Sequence, residues 1–363
     1  MKKAHKIRIY PNSRQEIQFQ KTFGCVRFYW NFLLDQRITN DKMKKENPEY
    51  IENKLTYAGL KKQEEFSWLK EVEAQPLSQV NMDLNKAYKN TFNSKFGFPK
   101  FKSKKNNHRS YTTNNQKGTV AIENGYIKLP KLKSVVKIKQ HRLFDGLIKS
   151  CTISQTPGGK YFVSVLVECD IGQMPRLETK VGIDVGLKTF AVLSNGKKIA
   201  NPKHLRRSEK RLAKLQKDLS RKVRDSKNRA KARLKVARLH EKISNQRLDF
   251  LHKTSFETIR DNQAIVLEDL KVKNMVKNHK LAKAISEVSW GLFRTMIEYK
   301  AKWYGREIVI APSNYASSQL CSDCGNKSSQ TKDLSCRTYV CPECGLKIDR
   351  DYNASLNLLK LAV

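Results

Sequence analysis

Lys6-Ile7-Arg8-Ile9-Tyr10 alternates polar and apolar residues with a period of two, the pattern of a half-buried strand, and Pro11-Asn12 stops it. From Gln15 to Thr39 the period changes: Phe19, Phe23, Val26, Tyr29 or Trp30, and Leu33 or Leu34 recur at three- and four-residue steps, predicting a helix. Further helical regions are predicted over Tyr57 to Leu69 and Leu77 to Phe92, with turn-prone residues such as Asn47-Pro48 between them. Together they make a helical module of about 80 residues, judged by the usual size of such helices. After Gly97-Phe98-Pro99 short alternating runs dominate, among them Thr119 to Ile122, Tyr126 to Leu129, Val135 to Ile138 and Tyr161 to Val167. Pro157-Gly158-Gly159-Lys160 lacks the second upstream glycine and the following Ser or Thr of a phosphate-binding loop, so it reads as a hairpin turn. Residues 1 to about 172 are thus expected to form a β-barrel-like unit whose first strand is separated from the rest by a helical insertion.

A second pattern begins at Val181-Gly182-Ile183-Asp184-Val185-Gly186. Thr189 to Leu193 follows, then an Asn195-Gly196 hairpin signal and Lys198-Ile199-Ala200, which predicts three consecutive strands with the second and third antiparallel. Apolar positions at helical spacing, including Leu212, Leu215, Leu219, Val236, Leu239 and Ile243, predict two long helices. Ala264 to Asp269 reads as a buried strand ending in acid, Leu281 to Tyr304 as a helix, Glu307 to Ile310 as a strand, and Asn353 to Leu359 as a terminal apolar helix. The order β-β-β-α-β-α-β-ribbon-α is that of a ribonuclease H-like domain with two insertions, a mixed sheet with helices on both faces.

Composition narrows the partners. The 72 Lys and Arg against 34 Asp and Glu give a formal charge of +38, far beyond what solubility needs and of the sign that polyphosphates attract. Residues 201 to 240 alone carry 16 Lys or Arg against three acids. Charge runs are usually solvated faces, but so one-sided a charge on an ordered helix pair repels itself unless nucleic acid covers it. An anionic membrane is the rival partner, yet no apolar run approaches the roughly 18 residues of a span. The basic start Met1 to Arg8 has no apolar segment after it, so a cytoplasmic location is expected. The single cysteines Cys25, Cys151, Cys169 and Cys336 suit a reducing compartment.

Two groups of residues carry chemistry. Cys321, Cys324, Cys341 and Cys344 form two C-x-x-C-Gly knuckles separated by the sixteen residues from Gly325 to Val340, the spacing of a zinc ribbon. Four thiolates saturate Zn2+, so that ion would be structural. Asp184 on strand one, Glu268 at the end of strand four and Asp351 at the start of the last helix form the second group. A lone acid at a strand end is more often a turn or cap, but this strand order makes the three neighbours. Carboxylates without His or Cys favour Mg2+ or Mn2+, and two such ions about 4 Å apart can drive phosphodiester hydrolysis. Asp269 and Asp349 are read as supporting acids.

Gly182-Ile183-Asp184-Val185-Gly186, Leu267-Glu268-Asp269-Leu270, the double C-x-x-C-Gly and Asp349-Arg350-Asp351-x-Asn353-Ala354, in this order, resemble the TnpB family of transposon-encoded, RNA-guided nucleases related to type V CRISPR effectors. Arg8 to Asn12, Gly97 to Lys104 and Arg247 to Lys253 also look like family segments, so the resemblance covers nearly the whole chain. It implies a wedge barrel (residues 1–10 and 97–175) interrupted by a helical recognition domain (11–96). A RuvC-like nuclease domain (176–314 and 348–363) would follow, with a basic helical insertion at about 203–261 and the ribbon at 315–347. Catalysis and magnesium binding map to Asp184, Glu268 and Asp351. The implied partners are a transposon-end ωRNA serving as guide and a double-stranded target DNA cut next to a short flanking motif; nothing in the pattern requires a dimer, so a monomer with its RNA is the simplest assumption. Tyr57 matches a family position near the motif, and Lys102, Lys104, Arg109, Arg206, Arg207, Arg211 and Arg221 are further candidates to touch nucleic acid. A nuclease-silent RNA-guided regulator is the alternative function; a strand-joining transposase would need neither guide nor ribbon.

Overall fold

Asn12 starts the longest helix of the first half through a capping box: its side chain accepts from Gln15 N at 2.9 Å and Gln15 Oε1 accepts from Asn12 N at 3.0 Å. In the computed structural model this helix, α1 (Ser13–Glu46), follows β1 (Lys2–Tyr10) and outruns the expected end by seven residues, until Asn47, which precedes Pro48, turns extended. The structure describes residues 1–52, 54–94, 96–105, 109–116, 118–329, 331, 333 and 335–362; Gln330, Lys332 and Leu334 of the expected ribbon and the terminal Val363 lie outside them. The chain divides into two units, Met1–Asp170 and Ile171–Val363.

In the first unit α1 is followed by α2 (Tyr57–Leu60), a 3-10 helix (Glu64–Glu71) and α3 (Ala74–Ser94). The single helix expected over Tyr57 to Leu69 is therefore two short ones, and Phe66 inside the second departs from helical geometry. That kinked path lets Leu60, Leu69 and Val72 all bury against α1 residues such as Tyr29 and Leu33. The strands are β2 (Arg109–Asn114), β3 (Ala121–Glu123), β4 (Tyr126–Lys128), β5 (Val136–Lys139), β6 (Leu147–Gln155) and β7 (Tyr161–Glu168). Their order is β2-β6-β7-β1-β5-β4-β3, antiparallel throughout, with the N-terminal strand between β7 and β5. Among the described residues no ladder joins β2 to β3, so the barrel-like expectation becomes an open sheet; β2 packs against α1 and α3 instead.

The second unit is built on β8 (Lys180–Val185), β9 (Thr189–Leu193), β10 (Lys198–Ala200), β11 (Ala264–Glu268) and β12 (Glu307–Ala311) in the order β10-β9-β8-β11-β12. β8, β11 and β12 are parallel, and β9 and β10 run antiparallel through the Asn195-Gly196 turn, where Gly196 takes φ +83°. Between β10 and β11 lie α4 (His204–Ser220) and α5 (Lys227–Asp261), joined along a seam of Leu212, Leu239 and Ile243. Next come α6 (Val272–Met275), α7 (His279–Val288) and α8 (Trp290–Tyr304). The single helix expected from Leu281 to Tyr304 breaks at Ser289, φ +58°, whose hydroxyl accepts from Arg247 Nη1 at 3.1 Å. The break lets Val288, Trp290 and Phe293 all enter the core with Leu251 and Ile259 of α5.

β13 (Thr338–Val340), β14 (Lys347–Asp349) and α9 (Arg350–Leu359) end the unit. α9 lies on β8, β9 and β11. Its approach explains Gly182: a Cβ there would run into the Ser355 carbonyl and stand 2.5 Å from Leu359 N. Among the described residues no helix is long and apolar enough to cross a membrane.

Candidate functional site

Parallel pairing sets the first two acids side by side. Ile183 of β8 is in register with Leu267 of β11, so Asp184 and Glu268 are the next residues on neighbouring strands, beyond long apolar runs that anchor them. The third acid arrives on α9. Asp349, not Asp351, caps that helix, accepting from Asp351 N at 3.1 Å and Tyr352 N at 3.0 Å. Asp351 is thereby left in the first turn without a capping task, its side chain 28% exposed and 3.8 Å from Arg337 Nη1.

Asp184 feels the other two acids. Burial pushes the Asp184 carboxyl well above the usual carboxylate range, and the charges of Glu268 and Asp351 push it further, against a smaller opposing pull from Arg350. Burial also raises Glu268, while the Ser317 hydroxyl, which donates to its Oε1 at 2.5 Å, and Arg350 hold it down. Carboxylate oxygens without thiol or imidazole are the donors that Mg2+ and Mn2+ take.

The neighbouring acids are spoken for. Asp269 pairs with Arg294 at 2.6 Å, and Asp349 pairs with Lys198 at 3.0 Å in addition to capping α9. Ser317 carries no sequence signal, but what holds it does. Asn357 Nδ2 donates to Ser317 O at 2.9 Å and to Leu320 O at 2.7 Å. Asn353 donates to Leu320 O at 2.7 Å and accepts from Ser322 N at 2.9 Å. Two buried asparagines four apart on an apolar helix are a readable sign that its inner face grips a loop. That loop brings Ser317 to Glu268 and leads directly into the first cysteine knuckle.

The ligand atoms of Cys321, Cys324, Cys341 and Cys344 all lie within 4.8 Å of one another, with Cys321 and Cys344 sulfurs 3.6 Å apart and Cys324 and Cys341 sulfurs 3.5 Å apart. Tetrahedral zinc with Zn–S of about 2.3 Å requires sulfur separations of about 3.8 Å, so the four thiols fit that ion. Each knuckle closes the same way: Gly325 N donates to Cys321 O and Gly345 N to Cys341 O, both at 3.1 Å. Those glycines take φ +78° and +72°, where a side chain would be strained. Cys336 stands outside the cluster and donates its thiol to Thr338 O.

The candidate nucleic-acid residues fall on several surfaces. Arg206, Arg207, Arg211 and Arg221 are exposed on α4 or its C-cap, while Leu212 is the buried residue of that helix. Lys102 and Lys104 are exposed on the segment before β2, and Arg109 starts that strand half-buried. Tyr57 is half-buried and packs edge-on against Tyr29 in the helical module.

A family model described as "Probable transposase" matches residues 163–279, one described as "Cas12f1-like, TNB domain" matches 290–358, and one described as "Helix-turn-helix domain" matches 1–45. Over residues 1–45 this chain forms β1 and most of the unbroken α1, not two helices around a turn. A Streptomyces pristinaespiralis protein named "Putative RNA-guided DNA endonuclease" is 40% identical over 99% of this chain and 89% of its own length. "Putative RNA-guided DNA endonuclease InsQ" of Escherichia coli strain K12 is 31% identical over 98% of this chain and 91% of its own. Among solved structures, a chain of the "Cas12f1-sgRNA-target DNA complex" matches 99% of this chain and 98% of its own length with a TM-score of 0.55 at 15% identity, a likeness of mixed α+β fold.

Proposed function

This chain belongs to the TnpB family, and from that premise we propose that it is an RNA-guided endonuclease that hydrolyses double-stranded DNA beside a short flanking motif, at Asp184, Glu268 and Asp351. The observation that carries the reading is the placing of Asp184 and Glu268 on adjacent strands β8 and β11, with Asp351 of α9 near enough that it and Glu268 both raise the cost of ionising the buried Asp184. Asp269 and Asp349 each have a cation partner, Arg294 and Lys198, which the three working acids lack at such short range among the described residues.

The residues have distinct tasks. Asp184, Glu268 and Asp351 would hold two Mg2+ or Mn2+ ions, which supply activation of water and charge stabilisation at the leaving oxygen. Ser317 fixes one oxygen of Glu268, leaving the other to a ligand. Arg350 offsets part of the acids' mutual repulsion from the helix start. The four cysteines would hold one structural zinc ion, their four thiolates filling its coordination sites and leaving no position for substrate.

The domain assignments follow the same reading: residues 1–10 and 97–175 as wedge, 11–96 as recognition domain, 176–314 with 348–363 as RuvC-like nuclease, and 315–347 as ribbon. A transposon-end ωRNA would supply sequence specificity by pairing, leaving the protein to hold phosphates; the +38 charge suits that task. Tyr57, Lys102, Lys104, Arg109, Arg206, Arg207, Arg211 and Arg221 are assigned to nucleic-acid contacts, and the working form to a monomer on its RNA in the cytoplasm.

The test is a plasmid library carrying a guide-matched target beside randomised flanks, incubated with protein co-expressed with its neighbouring RNA, in Mg2+ or EDTA. Loss of one flank class that requires both guide and Mg2+ is the expected result. Selective binding without cutting would replace the nuclease with a silent regulator.

A further inference from the structure

The first unit contains a cavity of about 250 Å3 that neither the acids nor the thiols explain. Its described lining brings together three cations and no carboxylate: Arg27 of α1, Lys102 of the segment after α3, and Arg109 at the first position of β2. Buried Phe23 and Val26 give it an apolar wall, and Ser103 and Ser110 add hydroxyls.

The cavity is held in shape. Residues 97–103 form neither helix nor strand, yet they are fastened to α1. Trp30 Nε1 donates to Lys100 O at 3.1 Å, and Asn31 exchanges two hydrogen bonds with the Lys102 backbone, at 3.0 and 2.7 Å. The Lys102 ammonium lies 3.7 Å from the centre of the Trp30 ring, so it too has a fixed place. Arg109 donates to Gln20 Oε1 at 2.8 Å and Gln155 Oε1 at 3.0 Å, neutral partners that orient the guanidinium without cancelling its charge. Asp83 on α3 is an acid whose field reaches Lys102. Cations gathered around one hollow repel each other unless an anion enters.

We propose that this cavity holds one unpaired nucleotide of the bound RNA, its phosphate between Arg27, Lys102 and Arg109 and its base against Phe23 and Val26. Folded RNA offers bases splayed from loops and bulges, with a 2′-hydroxyl within reach of groups such as Ser103 and Ser110, whereas duplex DNA keeps its bases stacked. The inference rests on the proposed RNA partnership and names a place where that RNA is held.

The experiment compares the wild-type protein–RNA complex with an Arg27→Ala/Lys102→Ala variant, probing RNA 2′-hydroxyl reactivity and measuring RNA affinity against salt. One unpaired nucleotide should be protected in the wild type and reactive in the variant, with the rest of the footprint unchanged. RNA affinity should fall about tenfold, and the slope of log affinity against log salt should become shallower by about 1.5 to 2. Arg27→Gln, at a half-exposed position of α1, gives the same single-nucleotide readout if the double variant does not fold. An unchanged footprint, a change confined to paired nucleotides, or weakened DNA binding with RNA affinity intact would each overturn the inference. Failure of the nuclease reading looks different: wild-type protein that binds no RNA, or that binds it and never cuts with Mg2+.

Discussion

The acid centre and the thiol cluster of the second unit are both places where ligand atoms gather, yet they are assembled in opposite ways. The four thiols come from two knuckles of one short stretch, 321 to 344, and each knuckle sets its own geometry through a glycine and local backbone hydrogen bonds. The three acids come from positions 184, 268 and 351 and meet through the parallel register of β8 with β11 and the seating of α9 on both. Among the described residues, the cysteines are the group of three or more such side chains whose ligand atoms converge within 4.8 Å. A locally built site depends on its own residues; a site built by topology depends on the sheet.

Substitutions can separate the two. The largest effect belongs to the thiols: Cys341→Ser should take bound zinc from one equivalent to none, forfeiting about 10 kcal/mol or more of metal-binding free energy. Hydrogen exchange should then speed up in the ribbon while β8 and β11 keep their protection. Equal deprotection of the sheet would mean that the ribbon is no local unit. Next, Glu268→Gln should lower cleavage by about a thousandfold or more, corresponding to several kcal/mol of transition-state stabilisation, with zinc content unchanged. Cleavage within tenfold of wild type would remove Glu268 from the site.

Gly182→Ala probes the topology itself. Its Cβ collides with α9 backbone, so stability should fall by about 1–3 kcal/mol and cleavage with it, while zinc stays bound. A variant as stable and active as wild type would contradict the account of how Asp351 is brought in. The smallest effect is electrostatic. Asp184 and Glu268 have raised values in the fold, so their contribution to metal-free stability is complete below the ordinary carboxylate value of about 4 and is lost as pH rises through the folded-state values. Mg2+ relieves a repulsion that grows with pH, so the rise in Tm on adding Mg2+ should be larger at high pH than at low pH. A shift independent of pH would argue that the ion binds elsewhere.

The same difference decides what could be read from the chain. The zinc-site geometry is local, and residue spacing alone revealed it. The mixed α+β character and the strand succession of the second unit were also legible, because long apolar runs ending in acid have few other uses. Ser289 was not: nothing in Glu287-Val288-Ser289-Trp290 marks a helix break, which exists because two helices must each turn an apolar face to one core. Phe66 and the open edge of the first sheet escaped for a similar reason, since packing on α1 overrode local periodicity. The division of labour between Asp349 and Asp351 needed backbone geometry, as both stand at the head of α9. Ser317 reaches Glu268 across 49 residues of sequence and leaves no pattern.

The most direct measurement takes the wild-type and Asp184→Asn protein–RNA complexes, supplies each with guide-matched plasmid in Mg2+, and reads cutting and binding in the same samples. The account predicts that the variant binds RNA and target as the wild type does and does not cut. A variant that still cuts would contradict the three-acid centre, and one that loses its RNA would show that Asp184 holds the fold or the guide rather than the reacting phosphate.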